Sequence, residues 1–166
     1  MNASSASPGV ASQEEVRKWL KKCGFKPDDL RGDVCFFKSD DLRSEVGTVS
    51  QSPMAKACAL GKLSVCKWLY ANGAAEDITK TSTGNHGAAN GGGFAPMLWA
   101  CRGGKLKVAK WLYEVGAAAD ITKASNGGIT PMYVACGKGH LSVCKWLYEV
   151  GAAADITKAN NNGATP

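Results

Sequence analysis

From residue 141 to residue 149 the polar positions Ser142, Lys145 and Glu149 fall at i, i+3 and i+7, while Val143, Cys144, Leu147 and Tyr148 fill the other side. That spacing predicts an amphipathic helix with one solvent stripe. A shorter apolar run precedes it, about 131–138, carrying Met132, Val134, Ala135 and Cys136. Thr130 can accept the free N–H groups of a first turn, and Pro131 suits the first helical position. Gly137 and Gly139 end this first helix, and Gly151 closes the second. Residues 152–158, Ala-Ala-Ala-Asp-Ile-Thr-Lys, then read as an extended finger.

The same pattern recurs. Val-Cys-Lys-Trp-Leu-Tyr occurs at 65–70 and at 143–148, with Val-Ala-Lys-Trp-Leu-Tyr at 108–113. Pro96, Pro131 and Pro166 are spaced by 35 residues, whereas Pro53 to Pro96 is 43. The eight extra residues fall in a Gly-rich stretch, 81–94, expected to be a mobile insertion projecting from the array. A fainter copy, Val16-Arg17-Lys18-Trp19-Leu20 with Gly24, marks residues 13–50 as a degenerate N-terminal capping repeat with its own insertion, including the apolar patch Val34-Cys35-Phe36-Phe37. Residues 1–12 read as a disordered tail, and 51–166 as three full repeats plus the start of a fourth. Gly163-Ala164-Thr165-Pro166 opens that fourth repeat, which points to a fragment of a longer array.

Helix, turn, helix and finger at this period resemble the ankyrin repeat. The resemblance rests on Thr130-Pro131-Met132-Tyr133-Val134-Ala135, Gly139-His140, Val143-Cys144, Leu147 and Gly151-Ala152, and covers roughly 52–166 with the echo at 13–24. It implies an all-α solenoid of helix-turn-helix units with extended, β-hairpin-like fingers. Departures are a period longer than the family's usual 33 residues and Tyr133, Leu98 or Ala55 where the family commonly has His. The Thr-Pro start also degrades to Ala95-Pro96 and Ser52-Pro53, at a cost in local stability.

Composition narrows the picture further. No stretch approaches the ~18 apolar residues of a membrane span, and the first residues lack the basic and apolar regions of a signal peptide. Five of the seven cysteines fall on repeat positions: Cys58, Cys101 and Cys136 on first helices, Cys66 and Cys144 on second helices where Ala109 stands in for them. They therefore read as reduced packing residues of an intracellular protein, cytoplasmic or nuclear, with no metal site. Residues 1–50 carry eight Lys/Arg and eight Asp/Glu, so the net charge of +6 belongs to the repeats. Rows of lysine (Lys67, Lys110, Lys145 and Lys80, Lys123, Lys158) favour an acidic partner. Asp77, Asp120 and Asp155, three residues before the finger lysines, partly neutralise the second row.

Catalysis finds little support. Of the two imidazoles, His140 belongs to a structural Gly-His turn and His86 to the insertion, so no nucleophile–base–orienter set is expected. The Gly-rich stretch lacks the Gly-Lys-Ser/Thr of a phosphate loop. Trp68, Trp111 and Trp146 with Tyr70, Tyr113 and Tyr148 read as packing between repeats rather than base stacking. Trp99 differs, because Lys56 and Val134 hold its position in the other units. Variable first-helix positions are where the resemblance implies partner contact, which makes Trp99 a candidate anchor.

The resulting expectation is a non-enzymatic, monomeric protein-binding scaffold with no cofactor and no membrane partner. Its face would comprise Trp99, Arg102, Tyr133 and Lys138 on first helices, with Ile121, Thr122, Lys123, Ile156, Thr157 and Lys158 on fingers. Near-identical Asp-Ile-Thr-Lys fingers argue for a structural role there, leaving the first helices to read the partner. The alternatives are an electrostatic binder of nucleic acid or another polyanion, and a regulatory segment of a larger enzyme or receptor.

Overall fold

The structure, a computed structural model of the chain, describes residues 9–26, 35–37, 49–82 and 92–166. Its first helix, α1 (Gln13–Lys22), starts at a reciprocal cap. Ser12 Oγ accepts from the Glu15 N–H at 3.3 Å, and Glu15 Oε2 accepts from the Ser12 N–H at 2.7 Å. Val16 and Leu20 are buried, Trp19 stacks on Phe25 at 6.2 Å, and the Ala11 N–H donates to Ser64 O at 3.2 Å. A short antiparallel ladder follows, β1 (Cys35–Phe37) against β2 (Val49–Gln51), in register Cys35 with Gln51 and Phe37 with Val49. This ladder lies in the capping segment, before the all-α solenoid that was expected and that the repeats form. Of the expected disordered tail at 1–12, residues 9–12 are instead ordered, Ala11 buried against the array and Ser12 capping α1; residues 1–8 and most of the insertion in the capping segment lie outside the described residues.

Three helix pairs then stack: α2 (Pro53–Leu60) with α3 (Leu63–Ala71), α4 (Pro96–Arg102) with α5 (Leu106–Leu112), and α6 (Pro131–Gly137) with α7 (Leu141–Leu147). First helices lie side by side, α2 on α4 and α4 on α6, while α1 packs on α3. Caps distinguish the three starts. Ser52 Oγ accepts from the Ala55 N–H and Thr130 Oγ1 from the Tyr133 N–H, each at 3.2 Å, but Ala95 makes no side-chain cap. The core is one continuous seam through Met54, Leu69, Met97, Leu112, Met132 and Leu147. Each repeat alone would leave half of that seam in water, so stacking supplies the stability.

Aromatic rings stitch neighbouring units. Tyr70 meets Trp111 edge-on at 5.8 Å, and Tyr113 meets Trp146 at 5.9 Å, both at 84°. Tyr70, Trp111, Tyr113 and Trp146 therefore perform the packing role expected of them, whereas Tyr148 stands exposed. At the helix turns, His140 Nε2 lies 3.0 Å from Arg102 O, and its ring covers Gly104, where a Cβ would approach Nδ1 to 2.7 Å.

The fingers correct the sequence reading. Residues expected to be extended form 3-10 turns at Ala75–Ile78, Ala118–Ile121 and Ala153–Thr157. After the second and third pairs a widened turn, Tyr113–Ala117 or Tyr148–Ala152, leads into them, with Gly116 at φ 122° and Gly151 at φ 117°. Beyond each 3-10 turn a bracket closes the loop. The Ser125 N–H donates to Ile129 O and the Ile129 N–H to Ser125 Oγ. Ser82 and Phe94 exchange the same two bonds, and Asn160 brackets Ala164 likewise. Ser82 therefore pairs with Phe94 across the insertion as Ser125 pairs with Ile129 without one. The extra residues enter between Ser82 and Gly92 and leave the frame unchanged. Residues 83–91, where the expected mobility falls, lie outside the described residues. Phe94, assigned above to the insertion, is instead fully buried. Adjacent brackets are joined by Asn126 N–H to Gly92 O and Asn161 N–H to Gly127 O.

Candidate binding face

The variable positions of the first helices converge beside the brackets. Ala55, Phe94, Leu98 and Trp99 form a second apolar cluster, flanked by Ala59 and Val134. Trp99 packs on Phe94 with ring centroids 5.1 Å apart and is only 2% exposed. Its ring is covered, so it presents no contact surface, which corrects the expectation of an exposed anchor. The reason is Phe94, which closes over it from the loop bracket and has no aromatic counterpart at Gln51 or Ile129.

What Trp99 does is hold Arg102. The guanidinium carbon lies 5.6 Å from the Trp99 centroid, one helical turn away, a cation–π contact that fixes the side chain. Arg102 is half-buried, and its Nε is buried without an acceptor among the described residues. Beside it on α6, Tyr133 is half-buried and Lys138, at the C-terminal end, is exposed. Arg102 ends α4, the helix on which α6, carrying Tyr133 and followed by Lys138, packs.

Finger residues form a separate row that is mostly structural. Ile121 is 7% exposed and packs under the following repeat near Gly151, so it too presents no contact surface. Its counterpart Ile156, at the end of the stack, is 50% exposed. Asp120 and Asp155 are buried, and Lys123 and Lys158 reach back to them at 3.3 and 3.7 Å. Lys123 Nζ also donates to Thr79 O at 3.4 Å in the preceding repeat. Burial lifts the Asp120 carboxyl above the usual aspartate range, and Lys123 pulls it partly back. Thr157 Oγ1 donates to Ala154 O at 3.4 Å; Thr122, like Lys123, Thr157 and Lys158, is exposed.

Sequence reasoning missed Phe94 because a Gly-rich context hid it. Its spacing of 35 residues from Ile129 was the available signal. It also missed a cavity of about 270 Å³ at the far end of the array, lined by Met132, Leu141, Tyr148 and Ile156 among others. Tyr148, expected to face inward, is 57% exposed there.

Paired helices in register, glycine-closed turns and inter-repeat aromatic contacts define a helical repeat solenoid. Within that class, the sequence profile of ankyrin repeats, in three copies, matches residues 54–160. The chain belongs to the ankyrin-repeat family. Repeats of this family are generally protein–protein interaction modules. No curated protein matches the chain. Among the described residues no helix is long and apolar enough to cross a membrane.

Proposed function

We propose that the array is a non-catalytic, monomeric scaffold that binds an acidic segment of a protein partner along the ridge of α4 and α6. One observation carries this reading: Arg102 is held over Trp99 with a buried Nε that no acceptor meets among the described residues. A buried donor left without an acceptor is costly, and a carboxylate is the acceptor that suits a guanidinium best. Tyr133 and Lys138 flank it, with Thr122, Lys123, Ile156, Thr157 and Lys158 as a secondary row. Trp99 acts by positioning Arg102. A stacked frame of this kind reorganises little on binding, which lowers the entropy cost.

The polyanion reading is weaker, since Lys123 and Lys158 are already engaged by buried carboxylates. Cys58, Cys66, Cys101, Cys136 and Cys144 are free thiols, which suits a reducing compartment such as the cytoplasm or nucleus.

The test is affinity capture with wild-type protein, Arg102→Gln and a Lys123→Gln/Lys158→Gln double variant. The reading expects a discrete protein retained by wild type and by the double variant and lost with Arg102→Gln. Equal retention by all three, or loss with the finger variant alone, would remove Arg102 from the centre of the site.

A further inference from the structure

Leu60, the last residue of α2, is 41% exposed. Packing does not call for leucine there, because its counterparts one and two repeats on are Gly103 and Lys138. A single exposed leucine is ordinary; the neighbours of this one give it meaning. The ends of α2 and α4 meet backbone to backbone, such that a Cβ on Gly103 would come within 2.5 Å of Ala59 O. Leu60 follows Ala59 in the chain and Arg102 precedes Gly103. Leu60 and Arg102 therefore flank one junction that is itself made of backbone. Lys105 crosses the same junction: a Cβ on Gly61 would meet its Cδ at 2.8 Å, and one on Gly103 its Cγ at 3.3 Å.

Charge is segregated along the helices. Within residues 51–166 every Asp and Glu falls in 76–77, 114–120 or 149–155, after the second helices. The first helices and the turns that follow them carry Lys56, Lys62, Arg102, Lys105 and Lys138, and no carboxylate. The junction thus joins an open apolar side chain to a fixed guanidinium in a cationic setting.

We propose that the partner segment crosses this junction in extended form, with a carboxylate on Arg102 and a large apolar side chain on Leu60. This rests on the Arg102 reading given above and adds a sequence motif to it. Helices packed side by side lie about 8–10 Å apart. A polyproline-II segment advances about 3.1 Å per residue with three residues per turn, so residues i and i+3 share a side at about 9 Å. The partner's two anchors are therefore about three positions apart, with further acidic residues beside them to meet Lys105. The apolar contact excludes water from the neighbouring ion pair and so strengthens it. It also supplies selectivity that charge alone does not, since a sugar–phosphate backbone has no side chain to place on Leu60.

The experiment pans a phage library of random dodecapeptides on the folded chain. Enriched sequences are then measured as free synthetic peptides against wild type, Leu60→Gln, Leu60→Met and Arg102→Gln, with circular dichroism to check that each variant is folded. The proposal expects enriched peptides to share an acidic and a large apolar residue about three positions apart. Leu60→Gln, or moving the peptide's apolar residue by one position, should weaken binding at least about tenfold, as loss of a buried leucine contact does. Leu60→Met should stay within about threefold of wild type, as a volume-conserving exchange does. Loss with Arg102→Gln but not with Leu60→Gln or the shifted peptide would overturn the motif and leave the Arg102 reading standing. Enrichment of acidic peptides with no apolar residue in common would do the same. Equal binding to all four proteins, or no enrichment at all, would overturn both.

Discussion

The middle and last repeats share nearly the same second helix and the same Ala-Ala-Asp-Ile-Thr-Lys turn, yet they bury these residues differently. Ile121 is 7% exposed and Ile156 50%, and Tyr113 packs on Trp146 while Tyr148 stands 57% exposed. Position in the stack, rather than the residue itself, decides what each side chain contributes. The second cysteines Cys66 and Cys144 likewise share their local sequence, Leu-Ser-Val-Cys-Lys, yet Cys66 is fully buried and Cys144 half-buried.

The sharpest way to break the comparison is to cut the same side chain in both places. Ile121→Ala should destabilise by about 2–4 kcal/mol through loss of a buried side chain. Ile156→Ala should change stability by less than about 0.5 kcal/mol, as exposed substitutions do. Urea denaturation of both variants checks the pair, and similar losses would mean that the end face is covered in solution.

Glycine at the helix turns gives the next largest contrast. Both Gly104 (φ +66°) and Gly139 (φ +73°) adopt the left-handed conformation, but only at Gly104 would a Cβ meet the His140 ring, at 2.7–2.9 Å. Backbone strain alone predicts about 1 kcal/mol for Gly139→Ala. Gly104→Ala should lose about 1–3 kcal/mol more through overpacking, readable as a lower denaturation midpoint.

Ala95 offers a gain. Ser52 and Thr130 cap α2 and α6, whereas Ala95 leaves α4 without a side-chain cap. Ala95→Ser lets the hydroxyl accept from the Leu98 N–H and should stabilise by about 1 kcal/mol, seen as a higher thermal midpoint.

The smallest effect concerns pH. The folded-state pKa of Asp120 lies above its ordinary value because of burial. The native chain therefore takes up that proton before the unfolded chain does, so this group favours folding below the unfolded value and loses that contribution as pH rises through the folded one. Stability of wild type relative to Asp120→Asn should increase as pH falls from neutral toward about 4. Denaturant titrations at both pH values measure it, and a relative decrease would mean that pairing with Lys123 outweighs burial.

Most of the array was legible because a period of 35 residues repeats most of the glycine turns and apolar positions. Pro131, Gly151, Leu147 and Trp146 take the places that the pattern assigns. The fingers were misread although Ala and Asp are poor strand formers and Ala favours helical backbone. The tertiary setting, with Asp120 and Ile121 buried, selects the 3-10 turn. Trp99 was recognised as unusual but assigned an outward role, since one sequence cannot show which loop residue folds back over a ring. Arg102 was named from its variable position. Its cation–π support follows from the helix spacing of three between Trp99 and Arg102, but the burial of its Nε does not.

The central claim is that a fixed arginine ridge, rather than the net charge of +6, governs partner binding. The salt dependence of affinity for a captured partner tests it most directly. The account predicts that raising salt from about 50 to about 200 mM weakens binding by no more than about tenfold, because the Arg102 contact is partly buried and poorly screened. A loss of about a thousandfold, of the size expected when many surface charges release counterions from a polyanion, would contradict it.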